Sequence, residues 1–274
     1  MKATILLIGA GRMGAALARG WIAEGRGPEI AVIEPNPDAS FAKELKKAGG
    51  RLNPAARLIA APKAIFLAVK PQMLEGVARE AIRFVAAKPV FISIAAGVAL
   101  KKLGTWLDGN AENGRAAIVR AMPNLPAAIG AGATVAAANN RVTRAQKALA
   151  AALLKAAGTL EWLSDEGPID AVTAVSGSGP AYVFLLVEAL AAAGVAAGLK
   201  PDLAQRVART TVAGAGALLT AWAERGAETL RRDVTSPGGT TEAALNVLMA
   251  ANALQPLMIR AVKAAAKRAK ELGR

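Results

Sequence analysis

Eight consecutive residues, Val234-Thr235-Ser236-Pro237-Gly238-Gly239-Thr240-Thr241, gather hydroxyls, permissive backbone and a helix start in one place. Pro237 fixes one φ angle, Gly238 and Gly239 allow positive φ and close approach, and a helical run from Thr241 into Ala243-Ala244-Leu245 follows at once. Unpaired N–H groups at such a helix start point at a carboxylate or phosphate, with the helix dipole adding about 0.3 to 1 kcal/mol. The segment therefore reads as an anion cradle. A Ser/Thr-capped turn between two helices fits the same residues, and the other end of the chain has to decide.

There, Gly9-Ala10-Gly11-Arg12-Met13-Gly14 follows the apolar run Ile5 to Ile8 and opens a helix through Glu24. This is G-x-G-x-x-G in the strand-to-helix context that dinucleotide binding requires. The glycines permit the tight turn, the approach of a pyrophosphate to the backbone and close helix-to-strand packing. Gly9, Gly11, Arg12, Met13 and Gly14 are thus candidate cofactor-binding residues. Glu34 ends the next strand, twenty positions after Gly14, where an acid accepts the adenine-ribose 2′-OH and repels a 2′-phosphate. Asn36 and Pro37 follow it. This favours use of NAD(H), with NADP(H) left open because Arg12 and a general positive field offset one charge. A Glu34 that merely faces solvent is the alternative. Val69-Lys70-Pro71 and Ala95-Ala96-Gly97 each follow an apolar run, at carboxyl ends of strands where ligands bind in open α/β sheets. Lys70 is a candidate catalytic group, as an acid or a substrate clamp, or else a support for the nicotinamide-side loops.

The elements that must position these residues are legible. Thr4 to Ile8, Ile30 to Glu34, Ala64 to Val69, Pro89 to Ile94 and Ala116 to Met122 read as strands alternating with amphipathic stretches. Gly132 to Ala138, a helix from Thr143 to Ala157, and Thr159 to Leu163 complete a mainly parallel sheet wrapped on both faces. After Asp165-Glu166-Gly167-Pro168 only helical patterns remain, at Ile169 to Val175, Ala181 to Gly198, Pro201 to Arg225, Thr241 to Ala253 and Pro256 to Leu272. The expected architecture is an α/β Rossmann-like domain over residues 1–164 and an all-α domain over 165–274.

Composition narrows the chemistry. The 274 residues are 54% hydrophobic but only 4% aromatic, so the cores are Ala, Leu, Val and Ile. With no His and no Cys, disulfides, thiolate nucleophiles and the commonest metal ligands are excluded, and no metal site is expected. Chemistry falls to hydroxyls, Lys, carboxylates, backbone amides or a cofactor. The net charge of +14 favours anionic partners, yet the cations are spread along the chain. Nucleic acid is not expected as a partner, for aromatics to stack bases are scarce. Apolar runs are broken by charges or Gly before they reach membrane-spanning length, so a cytoplasmic protein without a membrane segment is expected.

Together these residues resemble the pyrroline-5-carboxylate reductase family, across nearly the whole chain. The resemblance rests on Gly9 to Gly14, Val69-Lys70-Pro71-Gln72, Ser93 to Val98, Arg120-Ala121-Met122-Pro123-Asn124, Thr173 to Tyr182 with its Ser176-Gly177-Ser178-Gly179-Pro180 core, and the Ser236 to Thr241 segment. It implies NAD(P)H-dependent reduction of a small cyclic imino acid, 1-pyrroline-5-carboxylate, to proline. It implies an all-α domain that interlocks in a homodimer, with a higher oligomer of dimers left open, and a substrate pocket near the nicotinamide at the dimer interface. Met122, Pro123 and Asn124 join the cofactor side. Carried over by residue, Ser236 binds the substrate carboxylate with its hydroxyl, and Gly239, Thr240 and Thr241 with backbone N–H groups. Thr241 also places its hydroxyl at the ring nitrogen and is the catalytic candidate. Reducing an iminium needs position, desolvation and a hydrogen-bond partner rather than a His-like acid, which a chain without His can provide.

Three positions depart from the family's pattern, one of them Glu34, where NADP-preferring members commonly have a neutral residue. Leu125 replaces the family's usual Thr and makes the nicotinamide-side wall more apolar. Glu242, directly after the cradle, repels an anionic substrate unless it faces away or caps the helix. A β-hydroxyacid dehydrogenase-like enzyme would share the N-terminal motif but needs a catalytic Lys in the second domain, where Lys200 beside Pro201 lacks the expected context. A catalytically silent dinucleotide-binding regulator is the rival from another class, and the retained Ser236 and Thr241 argue against it.

Overall fold

The computed structural model describes residues 4–55, 59, 61–108 and 115–272. Among these, the N-terminal part forms one sheet of β1 (Ile5–Ile8), β2 (Ile30–Ile33), β3 (Arg51–Leu52), β4 (Ala64–Leu67), β5 (Val90–Ser93), β6 (Ala117–Met122), β7 (Gly132–Ala138) and β8 (Gly158–Trp162), in the order 3-2-1-4-5-6-7-8. Pairings are parallel except β6 with β7. That reversal follows from the connection, because a short 3-10 turn, Leu125–Ile129, joins β6 to β7, whereas a helix lies between β1 and β2, β2 and β3, β4 and β5, β5 and β6, and β7 and β8. The helices are α1 (Arg12–Ala23), α2 (Ala39–Lys47), α3 (Pro71–Ala81), α4 (Leu100–Asp108) and α5 (Arg144–Lys155).

Alternation along the strands builds two cores. Ile5, Leu7, Val32 and Phe66 face one layer with Trp21 of α1 and Leu153 of α5, while Leu6, Ile65, Leu67 and Phe91 face the other with Leu74 of α3 and Leu103 of α4. Trp21 donates its indole N–H to the Leu153 carbonyl at 2.8 Å and stacks obliquely on Phe66, so α1 is held against β4 and α5. Spatially, β1 lies between β2 and β4, and the chain order reverses there. This is the switch point at which open α/β sheets leave a crevice for a ligand.

Beyond the sheet come α6 (Ile169–Val172), a π turn at Thr173–Gly177, α7 (Gly179–Ala196), α8 (Pro201–Ala221), α9 (Ala227–Asp233), α10 (Thr240–Leu248) and α11 (Leu254–Leu272). Two elements are absent from the sequence reading. The two-residue β3 is too short to show periodicity, and α9 has only seven residues, mostly polar, with pairs such as Glu228 with Arg232 at 2.7 Å. Helix α8 also stops at Ala221 rather than Arg225.

The chain divides into two compact units, Met1–Gly177 with Ala265–Arg274, and Ser178–Ala264. Residues 165–177 group with the sheet, where Glu166 and Asp170 bind Arg120. The second unit exposes much apolar surface in the single chain: Phe184 is 53% exposed, Leu185 63% and Val247 71%. One correction concerns membrane-spanning length. The helical stretch Ile169–Ala196 is long and apolar enough by length and composition, with mean hydropathy 1.7, since its Gly, Ser and Pro interruptions barely lower the average.

Candidate active site

At the carboxyl ends of β1 and β4 the glycine-rich turn is shaped by contacts that admit no side chain. Gly9 has φ +94, and a Cβ there would lie 2.6 Å from the Ala68 carbonyl oxygen. A Cβ on Gly14 would lie 2.2 Å from the Gly9 carbonyl oxygen, so this glycine brings α1 onto its own turn. Gly11 differs, for a Cβ there meets open space within 4 Å. Gly11 is also the N-cap of α1 and carries no side-chain cap, so the first-turn N–H groups of Arg12 and Met13 open onto that space. A pyrophosphate fits such a place.

Glu34 does not simply face solvent. Its Oε2 accepts the Ala10 N–H at 2.8 Å and its Oε1 accepts the Asn36 N–H at 3.0 Å, which fixes a carboxylate beside the glycine-rich turn. Val69 packs at the Gly9 turn, exposed Lys70 is the N-cap of α3, and Pro71 starts that helix. Ala95, Ala96 and Gly97, the last at φ +79, follow β5. Met122, Pro123 and Asn124 follow β6, with Asn124 Oδ1 accepting the Ala133 N–H at 2.8 Å. The dinucleotide-site residues read from the sequence thus share one edge of the sheet, at the carboxyl ends of β2, β1, β4, β5 and β6.

A buried ionic cluster supports that edge and was missed from sequence. Arg120, 5% exposed, donates from Nη1 to Glu166 at 3.0 Å and from Nη2 to Asp170 at 3.2 Å. The Glu166 carboxylate also accepts the Leu100 N–H, at 2.9 and 3.1 Å, and so caps α4 directly after the Ala95–Gly97 loop. An Arg inside an apolar strand with both faces covered was the available signal, since such a charge has to be paired. The π turn lies close by, with Ser176 Oγ donating to the Ala133 carbonyl at 3.4 Å and the Met122 methyl 2.8 Å from where a Gly177 Cβ would sit.

The Ser236 to Thr241 segment belongs to the second unit. Gly239 donates its N–H to the Ser236 carbonyl at 3.0 Å across Pro237 and Gly238, the latter at φ +70, which is the Pro-Gly order of a type II turn. Gly239's own N–H is therefore engaged in the turn rather than offered outward, and its part is to be the N-cap of α10. Among the described residues, the N–H groups of Thr240 and Thr241 and the exposed Ser236 hydroxyl keep no partner. Glu242 Oε2 accepts the Gly238 N–H at 2.8 Å, so it braces the turn. One hydroxyl and two N–H donors at a helix start suit a carboxylate.

Comparison with known proteins assigns the chain that carries both segments to one family. Residues 166–272 match the family model described as pyrroline-5-carboxylate reductase dimerisation. A pyrroline-5-carboxylate reductase of Pseudomonas aeruginosa is 40% identical over 98% of this chain and 96% of its own length. The chain belongs to the pyrroline-5-carboxylate reductase family. A solved pyrroline-5-carboxylate reductase from Coxiella burnetii, 39% identical, superposes with a TM-score of 0.88 over the whole of both chains. The Plasmodium falciparum pyrroline carboxylate reductase, solved with NADP bound, has a TM-score of 0.80 at 27% identity over 99% of this chain and 98% of that one. Residues 4–97 also match a model described as NADP oxidoreductase coenzyme F420-dependent, which covers the crevice through Gly97. The apolar helices after Gly177, with their exposed side chains, fall within the segment that matches the dimerisation model.

Proposed function

We propose that this chain reduces 1-pyrroline-5-carboxylate to L-proline with NAD(P)H, acting as a homodimer in the cytoplasm. The carrying observation is the full-length match to pyrroline-5-carboxylate reductases in a chain that keeps both an open, uncapped glycine-rich turn and an open helix start behind Ser236-Pro237-Gly238-Gly239. The fit of a dinucleotide rests on the space in front of Gly11 and the free first turn of α1. When bound, the dinucleotide supplies the hydride. The chain's residues do the rest.

Ser236 Oγ and the N–H groups of Thr240 and Thr241 hold the substrate carboxylate, aided by the α10 dipole. Thr241 Oγ1 partners the ring nitrogen and keeps its proton in place, which favours the electrophilic iminium form. Holding both ends of a small planar ring leaves little orientational freedom, and that supplies much of the acceleration in a reaction needing no strong acid. Lys70, exposed at the start of α3, places a cation on the cofactor side and supports the loops there rather than donating a proton. Glu34 favours NADH by accepting the ribose 2′-OH and repelling a 2′-phosphate.

Initial-rate reduction of pyrroline-5-carboxylate with NADH and NADPH side by side, with proline measured as product, tests this reading. Proline is expected with both and NADH is expected to serve at least as well. No proline with either coenzyme refutes the activity, and a strong NADPH preference refutes the role given to Glu34.

A further inference from the structure

Asn53 stands immediately after β3, and its conformation is unusual for two reasons. Its φ is +46, one of two positive values among the described non-glycine residues. It also precedes Pro54, whose ring ordinarily drives the preceding residue to extended backbone. The strained turn is accompanied by three hydrogen bonds to β2 and its end. The Asn53 N–H donates to the Val32 carbonyl at 2.7 Å. Its side-chain Oδ1 accepts the Glu34 N–H at 2.9 Å, and its Nδ2 donates to the Glu34 carbonyl at 2.9 Å. The amide side chain thereby imitates one further peptide of β3 and continues the ladder past Leu52, its last strand residue.

The residue held in this way is the one whose carboxylate takes the Ala10 and Asn36 N–H groups. From Asn53 to the glycine-rich turn there is an unbroken set of hydrogen bonds through Glu34. An ionised carboxylate has about four acceptor sites, so two N–H bonds leave room for a ribose hydroxyl. We infer that Asn53 is a positioning residue that sets the choice between NADH and NADPH by fixing Glu34. This rests on the proposed role of Glu34 and adds the group that gives the acid its position. Asn53 is itself exposed, so replacing it opens no cavity.

The test uses Asn53→Gly, which keeps access to positive φ and removes the amide, together with Glu34→Ser and the double variant. Dissociation constants for NADH and NADPH are measured by fluorescence titration, and exchange of the Ala10 amide hydrogen is followed in the cofactor-free protein. Asn53→Gly is expected to shift the ratio of the two constants toward NADPH by about three- to tenfold, and to have no further effect once Glu34 is gone. Ala10 exchange should quicken in Asn53→Gly. Equal loss of affinity for both nucleotides, or lowered stability with an unchanged ratio, shows a merely structural Asn53 and overturns the inference. The same shift persisting in the double variant shows direct contact with the nucleotide and overturns it too. If Glu34→Ser alone leaves the ratio unmoved, the reading of Glu34 fails and takes the inference with it. If it moves the ratio and Asn53→Gly does not, only the inference fails.

Discussion

Thr241 illustrates how much can hang on one hydroxyl. Its side chain is partly exposed at the first turn of a helix whose N-cap, Gly239, provides no competing side-chain acceptor or donor. Thr241→Ala is expected to lower turnover by about ten- to a hundredfold, because a charge-assisted hydrogen bond contributes roughly 1.5 to 3 kcal/mol. Cofactor affinity should stay near wild type. Full turnover in a folded variant would remove Thr241 from the chemistry. Gly14 gives the opposite pattern. A methyl there would be 2.2 Å from the Gly9 carbonyl oxygen, so the turn has to move. Gly14→Ala should weaken nucleotide binding by about ten- to a hundredfold, as misplacements of that size do, while Gly11→Ala, which meets no protein atom, tests the ligand's own space. A Gly11→Ala protein that folds normally but binds nucleotide poorly is the expected result of titration, and unchanged binding by both variants would place the nucleotide elsewhere.

The connections between elements depend on a few polar residues inside apolar surroundings. Arg120 on β6 holds α4 through Glu166 and α6 through Asp170, so three elements meet at one guanidinium. Its Nε is buried without a partner, which leaves that group without an offset to its desolvation. Both carboxylates keep about a quarter of their side-chain exposure, so their partner's removal costs less than in a dry interior. Arg120→Met should destabilise by roughly 2 to 4 kcal/mol, read as a lower midpoint in urea, and Arg120→Lys should restore only part of it because the two-pronged geometry is lost. An unchanged midpoint in both variants would show that the cluster contributes nothing net. Legibility followed the same line. Apolar strands and amphipathic helices announced themselves by period, whereas β3 and α9 had no period to read and Arg120 pairs with acids far along the chain.

At the scale of the whole molecule, the single chain leaves clustered large apolar side chains exposed. Val183, Phe184, Leu185 and Leu186 on α7, and Val247, Leu248 and Met249 at the end of α10, are all at least 46% exposed. The homodimer proposed above would cover them with a large, apolar interface, of the kind that leaves no stable folded monomer. Sedimentation at micromolar concentration should show a dimer or larger, and Leu185→Glu should break it and abolish activity. A folded, active monomer would overturn this. The charge acts at the same scale. The excess of Lys and Arg lies mainly in the unit that holds the glycine-rich turn, and a positive field speeds the encounter with a polyanionic nucleotide. The second-order rate constant for nucleotide capture should fall as salt rises from about 0.01 to 0.15 M, where the screening length shrinks from about 30 to 8 Å. Stopped-flow binding across that range measures it, and a flat profile would show that the charge has another purpose.

From the residues alone came the sheet with its helical second half, the reading of Gly9 to Gly14 as a dinucleotide turn and of Ser236 to Thr241 as an anion cradle, and the lack of His and Cys. These are local facts: a glycine spacing, a period of two or of 3.6, a Pro-Gly order, each readable within a few residues. The tertiary structure decided what depends on partners distant in the chain. It turned Glu34 back onto Ala10 rather than out to solvent, gave Asn53 a hold on Glu34, and enclosed Arg120 with Glu166 and Asp170. It engaged the Gly239 N–H within the turn that the sequence had marked as a cradle. Those outcomes were not legible because a side chain's partner is chosen by folding geometry, and chain separation says nothing of which donor will meet which acceptor.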